Sequence, residues 1–131
     1  MTGQTNLSDV LQSLQVSCDN VEYGFATVKH QPAPDSQILG TFRENEGITI
    51  VGAKEYFEKN HIPYEGPYVK LTVEIHTSLE LVGLTAAIAD KLAKNNISAN
   101  VVAAYFHDHI FVPFGLRKKA IDAINSLDKA S

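Results

Sequence analysis

Two stretches of this sequence carry groups suited to binding a small charged ligand. The first runs from His76 to Gly83, where Thr77-Ser78-Leu79-Glu80 fits a helix-capping box. Backbone N–H groups at a helix N-terminus are unpaired and carry partial positive charge, which suits a carboxylate. By itself, the spacing is more typical of a simple cap, in which Thr77 and Glu80 only satisfy the first turn of a helix.

The second stretch places Ser98 and Asn100 two residues apart, and therefore on one face of a predicted strand. A buried Asn side chain needs partners for a donor pair and for an acceptor. Charged groups of a ligand could supply some of these partners. Exposure to solvent near the start of the strand is the alternative interpretation.

The triplet His107-Asp108-His109 raises the possibility of a metal site, because two His at i and i+2 on a strand point to one face. A third ligand is missing nearby, and the triplet falls where a hairpin turn is needed, for which Asp is a good residue. A turn is therefore favoured over a small metal-dependent enzyme built on His107 and His109. Glu44 and Glu46 lack an orienting partner for acid–base chemistry, and a charged turn explains them better.

The elements that would position these groups follow from hydrophobic periodicity. Val69 to Ile75 alternates with period two, which predicts a strand with one buried face. Four apolar residues at helical spacing behind the capping box predict a helix that ends near Asn95-Asn96, with Gly83 allowing close approach to a neighbour. The remaining predicted elements of this half are strands over Ile97 to Tyr105 and Ile110 to Val112, and a helix over Leu116 to Leu127.

The first half of the chain predicts a related order of elements. These are a helix over Leu7 to Leu14, strands over Val21 to Val28, Ile38 to Arg43 and Ile48 to Val51, and a helix over Lys54 to Asn60. When Ile38 to Arg43 is left aside, both halves contain the order helix, strand, strand, helix. In this correspondence, the elements at 7–14, 21–28, 48–51 and 54–60 match those at 79–95, 97–105, 110–112 and 116–127, respectively. A linker over 62–67, rich in Pro and Gly, predicts modules at 1–66 and 67–131 that share a core. The fold class is α+β, with antiparallel sheets and helices on one face.

Composition limits the function. The chain has 131 residues, 44% of them hydrophobic, a net charge of −4 and a pI near 5.7, so neither nucleic acid nor an anionic membrane is an expected partner. Cys18 is the only cysteine, which excludes an internal disulfide and a cysteine-based zinc site. The absence of a secretion signal or a long apolar run predicts a cytoplasmic protein, and no cofactor is expected.

Several segments resemble known regulatory modules. Residues 78–84 (SLELVGL), 96–101 (NISANV) and 109–112 (HIFV) are similar to ACT domains, such as those at the regulatory end of aspartate kinases. Residues 41–51 (TFRENEGITIV) resemble the N-terminal module of small, stand-alone, double-ACT proteins. The resemblance implies two ferredoxin-like modules of βαββα type that bind a small amino acid at a module interface.

The resemblance also implies a ligand site and a mode of action. The ligand-binding residues would be His76, Thr77, Ser78, Leu79, Glu80, Leu81, Val82, Gly83, Ser98 and Asn100. The protein would be a non-enzymatic regulator that forms a dimer or a higher homo-oligomer and acts through its assembly or on a separate partner. The alternative is an adaptor whose sheets bind a protein and no small ligand.

Overall fold

A computed structural model describes residues 15–74 and 81–127 of the chain. All seven strands in these ranges belong to one antiparallel sheet. Its strands are β1 (Gln15–Cys18), β2 (Tyr23–Val28), β3 (Ile38–Arg43), β4 (Ile48–Ala53), β5 (Glu65–Glu74), β6 (Asn100–Ala103) and β7 (Asp108–Pro113). The helices are α1 (Lys54–Lys59), α2 (Leu81–Lys94) and α3 (Arg117–Asn125), with a 3-10 turn at Phe114–Leu116 before α3. The predicted fold class, α+β with helices on one face of antiparallel strands, is confirmed.

The order of the strands makes the sheet nearly symmetric. It runs β3-β4-β2-β5-β7-β6, and β1 pairs with β5 beside this path. Tyr23 of β2 lies opposite Tyr68 of β5 at the centre. On either side, a hairpin leads into a helix: β3, β4 and α1 in one half, β6, β7 and α3 in the other. The two halves are therefore related by a quasi-twofold axis through the β2–β5 pair.

This symmetry corrects the predicted correspondence between the halves. The equivalent of β2 is β5, and the equivalent of β3 is β6, whereas the sequence pattern equated Val21–Val28 with Ile97–Tyr105. Helix α2 has no described counterpart, because residues 29–37 of the first half form a connection with Pro32 and Pro34. The predicted equivalence of β4 with β7, and of α1 with α3, agrees with this symmetry. The predicted helix over Leu7–Leu14 and the capping box at Thr77–Glu80 lie outside the described residues.

The hydrophobic core lies between the sheet and the helices. The predicted alternation in β5 is confirmed, since Val69, Leu71 and Val73 are fully buried under α2 and α3. A smaller cluster forms under α1, where Phe57 packs on Ile50. Both clusters belong to the same sheet face, because side chains directly opposite each other in antiparallel strands point the same way.

Two predicted boundaries are wrong for local reasons. The linker expected over 62–67 is half strand, because Glu65–Glu74 forms one continuous β5; the module boundary after residue 66 stays a prediction. The strand expected over Ile97–Tyr105 is shortened to Asn100–Ala103. Its start is lost because the backbone N–H of Ile97 donates to the carbonyl of Leu92 at the end of α2, where Asn96 has the predicted left-handed conformation (φ 60°).

Candidate functional site

The sheet face opposite the helices curls into a groove with a volume of about 530 Å³. A flat sheet would hold β3 and β6 about 24 Å apart, at ~4.8 Å per strand. The sheet must curl strongly, since both strands line this one cavity. The lining consists of 39–42 from β3, 101–103 from β6, Ala104 directly after β6, and Phe25, Thr49, Val51, Lys70, His109 and Phe111 from the strands between them.

Aromatic side chains form the floor of the groove. Phe111 of β7 is only 2% exposed, and its ring lies edge-to-face against Phe25 at 5.2 Å and against Tyr23 at 5.9 Å. Phe25 makes a further edge-to-face contact with Tyr68 at 5.6 Å. Such pairs contribute about 0.5–1.5 kcal/mol each beyond the burial of apolar area. The floor is therefore a packed apolar surface on the side of the sheet that carries no described helix.

His109 is a polar group of the groove wall whose protonation state is set by its surroundings. Its Nδ1 shares a hydrogen bond of 2.9 Å with the Thr72 hydroxyl. Burial lowers the pKa of His109, and the nearby charges of Lys70 and His107 lower it further, against an opposing effect of Asp108. The imidazole is therefore neutral at neutral pH. Nε2 makes no hydrogen bond to the described residues and is free for a ligand.

Lys70 supplies positive charge to the same wall. Its Nζ lies 3.5 Å from a carboxylate oxygen of Asp19 and 5.4 Å from the centre of the Tyr23 ring. The Tyr23 hydroxyl donates a hydrogen bond to Asp19. Burial by itself would raise the pKa of Asp19, but the hydrogen bonds from Tyr23 and from the Val21 N–H, together with Lys70, bring it below its usual value. Asp19 is thus ionised at neutral pH, and it holds the lysine at the edge of the groove.

The structure divides the predicted ligand residues into three groups. His76, Thr77, Ser78, Leu79 and Glu80 lie outside the described residues; Leu81 and Val82 begin α2; Gly83, Ser98 and Asn100 are exposed. No atom of the described chain comes within 4 Å of a Cβ built on Gly83, so the close approach expected there is not seen.

Strand register separates the two predicted parts of the site. Asn100 lies opposite Phe111, on the groove face, near the α2 C-terminus. The first turns of α2 lie at the other end of β7, because the Thr85 hydroxyl donates to Asp108, which pairs with Ala103. Asn100 and Ala103 are three residues apart, or ~10 Å along the strand. The ligand residues therefore do not form one described cluster.

The His107-Asp108-His109 triplet does not form a turn as a unit. The turn comprises residues 104–107, closed by the Ala104 N–H donating to the carbonyl of His107. Asp108 begins β7 and is buried, which corrects its assignment as a turn residue. The rings of His107 and His109 are 6.5 Å apart. In the described ranges no group of three His, Cys, Asp or Glu side chains is placed to hold a metal ion.

Sequence reasoning missed the groove itself. The alternation over Val69 to Ile75 identifies Lys70 only as a polar residue, and no sequence pattern links Phe25, Thr49 and Phe111 to a shared site. The arrangement suits a small molecule with an apolar body and an anionic group. Apolar walls with a few polar groups are typical of small-molecule sites.

Comparisons with known proteins agree with this architecture. Two family models, both described as the ACT domain, match residues 2–69 and 64–126. The crystal structure of a Vibrio cholerae protein of unknown function, described as a possible transport protein, is 36% identical and superposes with a TM-score of 0.80 over 92% of this chain and 94% of that one. Among curated proteins none matches. Within the described residues, no helix is long and apolar enough to cross a membrane.

Two more distant structures share the fold. An Agrobacterium tumefaciens protein is 17% identical, with a TM-score of 0.71 over 85% of this chain and 86% of that one. A putative C-terminal regulatory domain of aspartate kinase from Porphyromonas gingivalis is 12% identical, with a TM-score of 0.57 over 86% of this chain and 95% of that one. ACT domains are generally regulatory, amino-acid-binding modules. This chain belongs to the ACT domain family and carries two ACT domains.

Proposed function

We propose that this protein is a non-catalytic regulator that binds a small amino acid in the groove and acts through its assembly or on a separate partner. The observation that carries the proposal is the groove, whose volume of about 530 Å³ falls within the range of about 300–1,000 Å³ typical of small-molecule sites. Membership of a family of generally amino-acid-binding modules supports the same class of ligand.

The lining favours an amino acid with an apolar side chain. The side chain would rest on Phe25 and Phe111, and the carboxylate would face Lys70 and Nε2 of His109. Among the described strands, β3 and β6 each pair on one side only, which leaves backbone carbonyls on their outer edges to accept from the ammonium group. An acidic amino acid is disfavoured, because a second carboxylate would lie against an apolar wall.

The test is a thermal-shift screen of all twenty amino acids at about 1 mM. A ligand that binds only the folded state stabilises it by about 2.7 kcal/mol at a hundred times its Kd. We expect a leucine-like or phenylalanine-like amino acid to raise the Tm by several degrees. His109→Ala should reduce the shift, because it removes a hydrogen-bond donor to the carboxylate. His107→Ala, the same substitution in the turn, should leave the shift intact.

The residues predicted from sequence give a second location for the same ligand. Asn100→Ala and Ser98→Ala test one end of that site, and Gly83→Val tests the start of α2. If these variants lose the shift while His109→Ala keeps it, the amino acid binds at the residues predicted from sequence and not in the groove. If no amino acid changes the Tm of the wild-type protein, the amino-acid proposal fails and the adaptor becomes the leading function.

A further inference from the structure

Two strands of the groove wall, β5 and β7, offer hydrogen-bond donors to a ligand. Four of the side chains that line the groove are polar: Thr41, Thr49, Lys70 and His109. The ammonium group of Lys70 can only donate. When the Thr72 hydroxyl donates to Nδ1 of His109, the ring proton lies on Nε2, which then donates as well. A ligand that contacts this wall is therefore held best by groups that accept hydrogen bonds.

The same wall carries a positive electrostatic potential. Lys70 is the only charged side chain among the described residues that line the groove, since His109 is neutral. After burial, the charge of Lys70 is the next cause that lowers the pKa of His109, and His107 follows. The opposing effect of Asp108 is smaller. A negative charge on a ligand is therefore favoured at this wall, and a positive charge is disfavoured.

Two carboxylates near this wall are already bonded to other groups. Asp19 accepts a hydrogen bond from the Tyr23 hydroxyl and pairs with Lys70. Asp108 accepts a hydrogen bond from the Thr85 hydroxyl and is buried. Neither carboxylate lines the groove. An ammonium group placed beside Lys70 would therefore meet no free carboxylate on the described wall.

A third carboxylate, that of Glu44, lies on the other side of the groove. It accepts a hydrogen bond from the hydroxyl of Thr49, which lines the groove on β4. Because β2 lies between β4 and β5, the strands of Thr49 and Lys70 are about 10 Å apart across the sheet. The ammonium and the carboxylate of an α-amino acid are attached to the same carbon atom. An amino acid whose carboxylate contacts Lys70 therefore cannot place its ammonium on Glu44.

We propose that the groove distinguishes an apolar amino acid from its α-keto acid and binds the α-keto acid more tightly. The two molecules share the side chain and the carboxylate, but the keto acid has a ketone oxygen in place of the ammonium group. All its polar groups accept hydrogen bonds, and its net charge is negative, as the wall requires. The inference rests on the proposed function, because both place the carboxylate at Lys70 and His109.

The amino acid fits the same groove less well. Its ammonium group must lose water beside Lys70, and the acceptors left for it are neutral backbone carbonyls on the outer edge of β6. Since both molecules occupy one site, they compete for it. Transamination interconverts the two classes of molecule, so the occupied state of the protein would respond to the ratio of keto acid to amino acid.

Isothermal titration calorimetry at neutral pH, with four ligands that share one apolar body, tests the preference. The ligands are L-leucine, its keto acid α-ketoisocaproate, isocaproate and isoamylamine. The keto acid should bind about tenfold more tightly than leucine. Isocaproate lacks both the ketone and the ammonium group and should fall between them, whereas isoamylamine lacks the carboxylate and should not bind. L-phenylalanine and phenylpyruvate provide a second pair with a larger apolar body.

A variant without the cation tests the cause of the preference. Lys70→Met keeps most of the apolar stem and removes the charge. It should weaken binding of the keto acid about tenfold and bring the two ligands to similar affinities. Lys54→Met is the matched control, because Lys54 also pairs with one carboxylate, Glu22 at 3.3 Å, but lies outside the groove. Thermal melts without ligand should show that both variants remain folded.

The possible outcomes separate this inference from the proposed function. If leucine and phenylalanine bind as tightly as their keto acids, the inference is refuted and the amino-acid function stands. A preference that persists in Lys70→Met, or that Lys54→Met abolishes, also refutes the inference, because Lys70 is then not its cause. If keto acids bind and none of the twenty amino acids raises the Tm, the amino-acid function fails alone. If neither class of ligand binds, both proposals fail.

Discussion

Replacement of Thr85 by Val tests the contact that holds α2 against the sheet. Asp108 is only 6% exposed, and its carboxylate accepts a hydrogen bond of 2.6 Å from the Thr85 hydroxyl. Valine retains the shape of threonine but removes the donor. A hydrogen bond to a charged group contributes about 1.5–3 kcal/mol, and a buried group left unpaired keeps its full desolvation cost. We therefore expect Thr85→Val to lower the free energy of unfolding by about 1.5–3 kcal/mol.

Urea denaturation at neutral pH and a fixed protein concentration measures this loss. The matched control is Asp122→Ala, which removes the i, i+4 pair between Lys118 and Asp122 on α3. That pair is 3.3 Å long and well exposed. Exposed helical pairs contribute about 0.3–0.5 kcal/mol, so the control should change the midpoint little. The urea dependence of the free energy should be the same in all variants, because the exposed area is nearly unchanged.

A double-mutant cycle with Asp108→Ala, which removes the acceptor, separates the contact from other effects of each substitution. Residues in one hydrogen bond couple by about 0.5–3 kcal/mol. The double variant should therefore lose less stability than the two single losses added together. A Thr85→Val protein within about 0.5 kcal/mol of the wild type, or a cycle without coupling, would refute the reasoning, since Asp108 would then not depend on this donor.

Three further changes follow from burial and charge. Phe111→Ala should cost about 3–5 kcal/mol in urea denaturation, because it empties the buried floor of the groove; Phe111→Leu should cost clearly less. Burial lowers the pKa of His109 from 6.5, so the unfolded chain binds more protons than the folded protein at acidic pH. The free energy of unfolding of the wild type should therefore fall as the pH drops below about 6.5, and that of His109→Gln should fall less. Gly83→Ala should stabilise by about 0.5–1 kcal/mol, because the position is helical and no described atom lies within 4 Å of the added Cβ; a thermal melt of both proteins decides this.

The sequence predicts the bounds of one strand and the buried residues of another correctly. The bounds of Ile38–Arg43 match at both ends, and the alternation of β5 identifies its buried residues correctly. The position of Asn96 at the end of α2 also follows from residue type, because Asn adopts the left-handed conformation readily. These predictions hold because each depends on interactions within a few residues, or on the simple division between core and surface.

The groove depends on information that periodicity does not contain. Alternation separates the two faces of a strand but does not show whether the outer face is flat or curled. The alternation therefore predicts a solvent-facing Lys70, although its side chain lies against Tyr23 and Asp19 beside the groove. The predicted correspondence between the elements of the two halves is also wrong, because each half contains a predicted helix that is followed by two strands. Only the observed registers show that β2 corresponds to β5.

The quasi-twofold axis makes the differences between equivalent positions informative. Phe25 is equivalent to Lys70, and Thr49 is equivalent to His109, as their registers on β4 and β7 show. All four residues line the same groove. The scaffold places them alike, yet the cation and the imidazole both lie on the second half. A ligand with one anionic end would therefore bind in a single orientation, with its carboxylate towards β5 and β7. The double variant Thr49→His/His109→Thr should then bind the ligand more weakly, because the imidazole is moved away from Lys70. If the ligand instead binds in either of two orientations related by the quasi-twofold axis, the exchange should leave its affinity unchanged.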